Sequence, residues 1–158
     1  GQIADRPWRL DIVGDGAARP EVERLFAGFD VARVRWHGAL KRDAVIATLA
    51  RSDVFAWPGI GEAFGMAYLE AQAAGVPVAA VATAGVPAVV MDGIGGLLAP
   101  QISAEAYAAV LARLINDTAL RTRLAESASD HVRTHHAITT ASRVLDATIA
   151  RLAPPSGR

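Results

Sequence analysis

Val76-Pro-Val-Ala-Ala-Val81 constrains the fold of this chain more than any other stretch. It is almost wholly apolar and is bounded by Gly75 on one side and Thr83-Ala-Gly85 on the other. A strand wetted on one face alternates polar and apolar residues, whereas one that is apolar throughout is covered on both faces, as in a parallel sheet. Pro77 has no amide to donate to a ladder, so it belongs near the start of such a strand.

Segments before and after this strand repeat the strand–helix pattern. Trp8 to Val13 reads as a strand ending in the turn Gly14-Asp-Gly16, and Pro20 suits the first turn of a helix that presents Val22, Leu25, Phe26 and Phe29. Val31 to His37 reads as a second strand closed by Gly38, and Lys41 to Ala50 as a helix with Val45, Ile46 and Leu49 inward. Asp53 to Trp57 is a third strand, stopped by Pro58-Gly59, and Glu62 to Gly75 is a helix with Gly75 as a left-handed cap. Beyond Val81, a short helix spans Pro87 to Met91 and a glycine-rich turn spans Asp92 to Gly96. Three helices follow, over Ala104–Ile115, Ala119–Val132 and Ala137–Leu152. Alternation with such short connections predicts an α/β fold, a doubly wound parallel sheet of Rossmann-like type. Ligands of such sheets bind outside the carboxyl ends of the strands, which puts Gly14 to Gly16, Gly38, Gly59 to Gly65 and Thr83 to Gly85 on one rim.

Composition narrows the partners. The 158 residues suffice for one domain with a single core, and 52% hydrophobic with 20% charged residues is ordinary for a globular chain. Zero formal net charge, without a block of like charges, speaks against nucleic acid as a partner, because duplex binding needs a dense cationic footprint. With no cysteine there is no disulfide, thiolate nucleophile or zinc ribbon. No apolar run approaches the roughly 18 to 20 residues of a membrane span, and the first residues lack the basic-then-apolar pattern of a signal peptide; the cytoplasm is the expected compartment.

The loop after the third strand carries the chemistry. Gly59-Ile-Gly61-Glu-Ala-Phe-Gly65 resembles a dinucleotide fingerprint in spelling only. Glu62 falls inside the would-be phosphate loop, and no acidic residue closes the next strand at Val81-Ala-Thr83 to take a ribose. Glu62 and Glu70 suggest another arrangement. With Glu62 just before a helix and Glu70 two turns inside, the pair is separated by roughly 12 Å along the axis, about 80° apart around it. A sugar nucleotide offers vicinal hydroxyls at both ends with a diphosphate between. Carboxylates accept from the hydroxyls, and the free amides near Phe64, Gly65 and Met66 suit the anion. By spacing alone, a helix-start carboxylate and a solvated surface glutamate are the favoured explanation of the pair.

Pro58-Gly-Ile-Gly-Glu62-Ala-Phe-Gly65-Met-Ala-Tyr-Leu-Glu70-Ala-Gln-Ala-Ala-Gly75-Val-Pro77-Val resembles the signature of retaining GT-B glycosyltransferases of the family 4 type (group 1). Supporting blocks stand in the family's order: Leu10-Asp-Ile-Val-Gly14-Asp-Gly16, Val34-Arg-Trp-His-Gly38, Ser52-Asp-Val-Phe, Ala84-Gly-Val-Pro87 and Asp92-Gly-Ile-Gly-Gly96-Leu-Leu. The resemblance implies the C-terminal, donor-binding half of a GT-B fold over residues 1–153, incomplete at its N-terminus, with 154–158 a frayed tail. It implies that Glu62, Ala63, Phe64, Gly65 and Met66 hold the donor sugar, that Glu70 holds the nucleotide ribose, and that Gly14, Gly16 and Gly38 lie on the nucleotide and phosphate side. Transfer would proceed with retention by front-face substitution, the departing diphosphate helping to deprotonate the acceptor, with no cofactor and no essential metal.

Three positions depart from the family pattern: Gly59 where serine is common, Ala88 where an acid is frequent, and Gly95 where asparagine is frequent. The family's N-terminal acceptor domain, and the Arg and Lys that neutralise the diphosphate, have no counterpart in these residues. Lys41 reads as the start of a solvated helix face. The expectation is therefore a donor-holding domain unable to transfer sugar alone, with peripheral membrane contact arising only in a full-length protein. The alternatives are a non-catalytic GT-B-like domain or a relative of sugar-nucleotide epimerases.

Among other residues, His131, His135 and His136 have helical spacing but no carboxylates around them, so a polar helix end is expected rather than a metal site. Trp36, Phe55 and Trp57 are expected in the core, with His37 near the rim. Asp15 is expected to be a turn residue. Ile138, Ala141, Leu145, Thr148 and Leu152 form a stripe on the last helix, whose exposure would favour self-association.

Overall fold

A computed structural model describes residues 3–152; the tail expected over 154–158 lies outside them. Five strands and seven helices follow one another: β1 (Leu10–Val13), α1 (Arg19–Phe26), β2 (Val34–Gly38), α2 (Arg42–Leu49), β3 (Phe55–Ala56), α3 (Met66–Ala73), β4 (Val78–Val81), α4 (Val86–Val89), β5 (Gly96–Ala99), α5 (Ala104–Asn116), α6 (Thr118–His135) and α7 (Ile138–Leu152). Every strand pair is parallel. The hydrogen-bonded ladder comes in two parts, β1–β2 and β3–β4–β5, rather than as the single sheet expected from sequence. Neither β1 nor β3 has a second partner among the described residues, which separates the halves.

The second ladder is the heart of the molecule. All four residues of β4 are buried, as its unbroken apolar run requires. Because successive side chains of a strand point to opposite faces, Val78 and Ala80 join Leu49, Tyr68, Leu69, Val86 and Val89 in one cluster. Ala79 and Val81 join Leu97, Val110, Leu114 and Leu124 in another. The sheet is thus covered on both faces, by α2, α3 and α4 on one and by α5 and α6 on the other. Burying leucines such as Leu114 and Leu124 stabilises the fold by about 1.5–3 kcal/mol each. α6 starts on the α5 face, with Leu124 in the second cluster, and ends with Val132 against the first.

Local signals account for most boundaries. Pro77 lies one residue ahead of β4, where it needs no amide, and its carbonyl accepts from Phe55 N at 2.9 Å. Gly75, at φ +72°, closes α3 in a Schellman motif: its amide donates to Gln72 O at 3.0 Å and that of Val76 to Ala71 O at 2.9 Å. Ser103 and Asp117 cap α5 and α6 by accepting from Ala106 N and Leu120 N.

Four expectations change. The Asp30 carboxylate takes the Ala32 amide at 2.9 Å, holding the chain in a turn, so β2 begins at Val34 and Val31 is exposed. α1 ends at Phe26, and its Leu25 is exposed rather than inward. Ile46 on α2 is likewise exposed. Gly96–Ala99, beyond the glycine-rich turn, is a full strand.

Candidate functional site

The segment 58–65 rises from the carboxyl end of β3 and is loop throughout, so the helix expected from Glu62 begins only at Met66. The cause is three glycines in left-handed conformation, Gly59, Gly61 and Gly65, which bend the chain where a helix would need negative φ. This changes the geometry of the two carboxylates. Glu62 lies three residues ahead of the Gly65 cap, and Glu70 is little more than one turn into α3. The axial spacing of an unbroken helix does not apply to them.

Residues of the loop and helix divide by exposure. Phe64 and Met66 are exposed at the mouth, Gly65 is buried and Glu62 is half-buried. α3 buries Tyr68, Leu69, Ala71 and Gln72 and turns Met66, Ala67 and Glu70 to solvent on one face, since residues three and four apart are neighbours. No side chain caps the start of α3, and its first turn holds no acid. The amides of Met66 and Ala67 therefore remain available to an anion, with the positive end of the helix dipole behind them, while that of Tyr68 turns back to Gly65 O.

A second rim loop closes against the first. Gly85 N donates to Glu62 O at 3.3 Å, and a Cβ on Gly85 would come within 1.9 Å of Ala63 O, so only glycine permits this approach. Beside it, Ala84 is the one non-glycine with positive φ, at +48°, among the described residues. Strained backbone of this kind gathers at ligand-binding loops.

Gly14, Gly16 and Gly38 lie on the rim of the other ladder. Gly14 N donates to Gly38 O at 2.8 Å, joining the ends of β1 and β2. The structure thus joins Gly14 to Gly38, with Gly16 two residues on, at one ladder, and sets Glu62 to Met66 and Glu70 on the loop and helix that follow β3 in the other. Arg19, which the sequence did not single out, stands beside the first group. Its NH1 is 3.9 Å from where a Gly38 Cβ would be, and it pairs with Glu23 at 2.7 Å and Asp15 at 3.7 Å. The bond to Glu23 raises its already high pKa. Only the position of Arg19 at the start of α1 signals it in the sequence. His37, in β2, is tied to Asp11 of β1 at 2.6 Å. Trp57 is 52% exposed, contrary to expectation, because it stands at the carboxyl tip of an outer strand, where no helix covers it.

Buried polar groups were also illegible in sequence. Gln72 is fully buried, and its Nε2 donates to Tyr68 O at 3.1 Å and Val89 O at 3.0 Å, tying α3 to α4. A Cβ on Gly95 would meet Gln72 Oε1 at 2.0 Å, so a larger residue there and this placement of the Gln72 amide exclude each other.

Two hollows lie elsewhere: one of about 510 Å³ lined by Ala112, Arg113, Asn116, Asp117, Leu120 and Arg123, and one of about 190 Å³ under Ser52, Gly75 and Pro77. Neither includes a rim residue, and the second sits at the amino ends of β3 and β4. Ligands of parallel sheets bind at the opposite ends, so the rim is the candidate site. His131 stacks near His135 and His136, at ring distances of 4.7 and 5.4 Å. No group of three or more His, Cys, Asp or Glu is arranged to hold a metal ion among the described residues. No described helix is long and apolar enough to cross a membrane.

A doubly covered parallel ladder with a glycine-built rim and an uncapped helix behind it is the architecture of a nucleotide-binding α/β domain. Comparison with known proteins gives the family. The model of glycosyl transferases group 1 matches residues 2–131, and the chain belongs to this family. The chain is 35% identical over 141 residues to the D-inositol 3-phosphate glycosyltransferase of Streptomyces griseus, covering 88% of this chain and 30% of that protein. The chain therefore spans about a third of the length of such relatives. Anabaena Alr3699/HepE, solved in complex with UDP-glucose, superposes with a TM-score of 0.78 at 23% identity, over 95% of this chain and 43% of that one. The C-terminal domain of a group 1 glycosyl transferase (LpcC) from Francisella tularensis superposes with a TM-score of 0.67 at 22% identity, over 84% of this chain and 88% of that domain. The fold is the Rossmann-like C-terminal half of a GT-B glycosyltransferase.

Proposed function

We propose that this chain is the donor-holding domain of a retaining glycosyltransferase, binding a UDP-, GDP- or similarly activated sugar. The observation that carries the proposal is the bare glycine loop at the tip of β3. It opens onto the uncapped amides of α3, with Glu62 ahead of them and Glu70 one turn behind. In this reading Glu62 accepts from donor-sugar hydroxyls, helped by backbone at Ala63, Phe64, Gly65 and Met66. Glu70 accepts from the ribose hydroxyls, and the amides and helix dipole take the diphosphate. Gly14, Gly16 and Gly38 lie on the nucleotide side, with Arg19 nearby. The complex of Alr3699/HepE with UDP-glucose supports this reading through the shared fold.

The chemistry asked of the protein is stabilisation of negative charge on the departing diphosphate. No side chain of this chain is assigned as a catalytic base. The acceptor would be bound by a separate domain, so the chain alone is expected to bind donor without transferring sugar. We further propose that binding needs no resident metal and that the protein works in the cytoplasm. Calorimetric titration with UDP, GDP and ADP, with and without EDTA, tests the reading. Binding of one nucleotide, unchanged by EDTA, is expected. No binding to any of the three at millimolar ligand would overturn it.

A further inference from the structure

Tyr68 is the bulkiest of the fully buried side chains, yet it ends in a polar hydroxyl. A buried hydroxyl costs free energy unless it is partnered, and its partner here is the loop above it. The hydroxyl donates to Trp57 O at 3.2 Å, and the Tyr68 amide donates to Gly65 O at 3.0 Å. A Cβ at Gly59 would stand 2.0 Å from the hydroxyl oxygen, and one at Gly65 would stand 2.3 Å from ring carbon Cδ2. Phe55 meets the ring edge-on at 6.0 Å, backing it on another side. Two of the three bends of the loop, those at Gly59 and Gly65, are thus pressed onto one aromatic side chain.

Glu62 is held between those bends. Its amide donates to Gly59 O at 3.0 Å, and its carbonyl accepts from Gly85 N at 3.3 Å. We propose that Tyr68 is a positioning residue of the donor site: its ring and hydroxyl form the mould on which 58–65 is cast, and so set where the Glu62 carboxylate stands. This rests on the reading of Glu62 as a donor-sugar ligand. Tyr68 is fully buried and acts only through the loop. The same contact accounts for Gly59, because a serine side chain there and the phenol of Tyr68 would occupy one space. Burial first, and the charge of Glu62 second, push the phenol up to about 12, so it stays protonated and keeps donating at any ordinary working pH.

Two measurements on Tyr68→Phe, which keeps the ring, test the proposal. The first is amide hydrogen exchange followed by NMR and needs no ligand. Exchange at Glu62 and Gly85 is expected to rise about tenfold, the scale of one lost hydrogen bond, while Leu114 and Leu124 are unchanged. Unchanged exchange at Glu62 and Gly85, or an equal rise throughout the core, would overturn the positioning role. The second compares UDP with UDP-glucose, GDP with GDP-mannose and ADP with ADP-glucose by calorimetry, in wild type and variant. The advantage of the sugar-bearing form over its bare nucleotide should shrink several-fold while bare-nucleotide affinity holds. Retention of the full advantage would overturn the proposal. If wild type binds no nucleotide, the donor reading fails separately, and the exchange experiment alone decides whether Tyr68 holds Glu62.

Discussion

Glu62 and Glu70 are placed by different means, and the difference gives them different sensitivities. Glu70 sits on a regular helix face, so Glu70→Gln is expected to remove one charged acceptor and nothing else. Glu62 hangs from a loop whose amide and carbonyl are both engaged, and Glu62→Gln keeps that backbone. Hydrogen bonds to charged groups contribute about 1.5–3 kcal/mol, so each change should weaken sugar-nucleotide binding roughly tenfold to a hundredfold by calorimetry. Bare nucleotide should feel Glu70→Gln and not Glu62→Gln. The contact between Gly59 and Tyr68 makes a second prediction. Gly59→Ala should destabilise the protein in urea unfolding, and part of that loss should vanish in the Tyr68→Phe background, leaving the strain of φ +74° and the tight approaches to Val86 Cγ2 and the ring. Glu62 and Glu70 stand out in sequence by residue type and spacing, whereas the bends at Gly61 and Gly65 do not, since the pattern predicts helix from Glu62. The role of Tyr68 was not legible either, because it depends on a contact between side chain and loop that only the folded chain creates.

β4 was the most readable element, its unbroken run of apolar residues leaving no face for water. α3 was misread at its start for a reason equally local: Gly61 and Gly65 outweigh the helix-forming Glu-Ala-Phe between them. The end of α6 makes a prediction about pH. Burial lowers the pKa of His131 below its ordinary 6.5, and the neighbouring His135 and His136 lower it further. The unfolded chain therefore binds the proton at higher pH than the folded one. The contribution of His131 to stability is complete above about 6.5 and is lost as pH falls from there through the lower folded value. Thermal melts from pH 8 to 5 should show Tm dropping below about 6.5, and His131→Gln should flatten that drop. A slope unchanged by the substitution would assign it to other groups.

At the scale of the whole molecule, the strand–helix alternation predicted the class of fold but not the division of its ladder. Pairing is set by contacts between distant segments, and no local pattern shows that β1 and β3 each lack a second partner among the described residues. The last helix buries none of its residues: the stripe of Ile138, Ala141, Leu145, Thr148 and Leu152 is exposed, and so are Val144 and Ile149 outside it. Apolar surface of this kind promotes association, so light scattering should show apparent mass rising with concentration. Leu145→Glu with Ile149→Glu should restore a constant value. Cohesion is also uneven along the chain. Among the described residues none before Leu49 is buried, whereas β4 is buried throughout. Local opening should therefore be cheapest in the β1–β2 ladder. A donor touching both the Gly14–Gly38 rim and the Glu62 loop would act as a strut between the ladders. Its measured affinity would then be its contact energy less the entropy lost in fastening a loose part of the protein to a rigid one, and any mutation that stiffens the first ladder would tighten binding without touching the ligand.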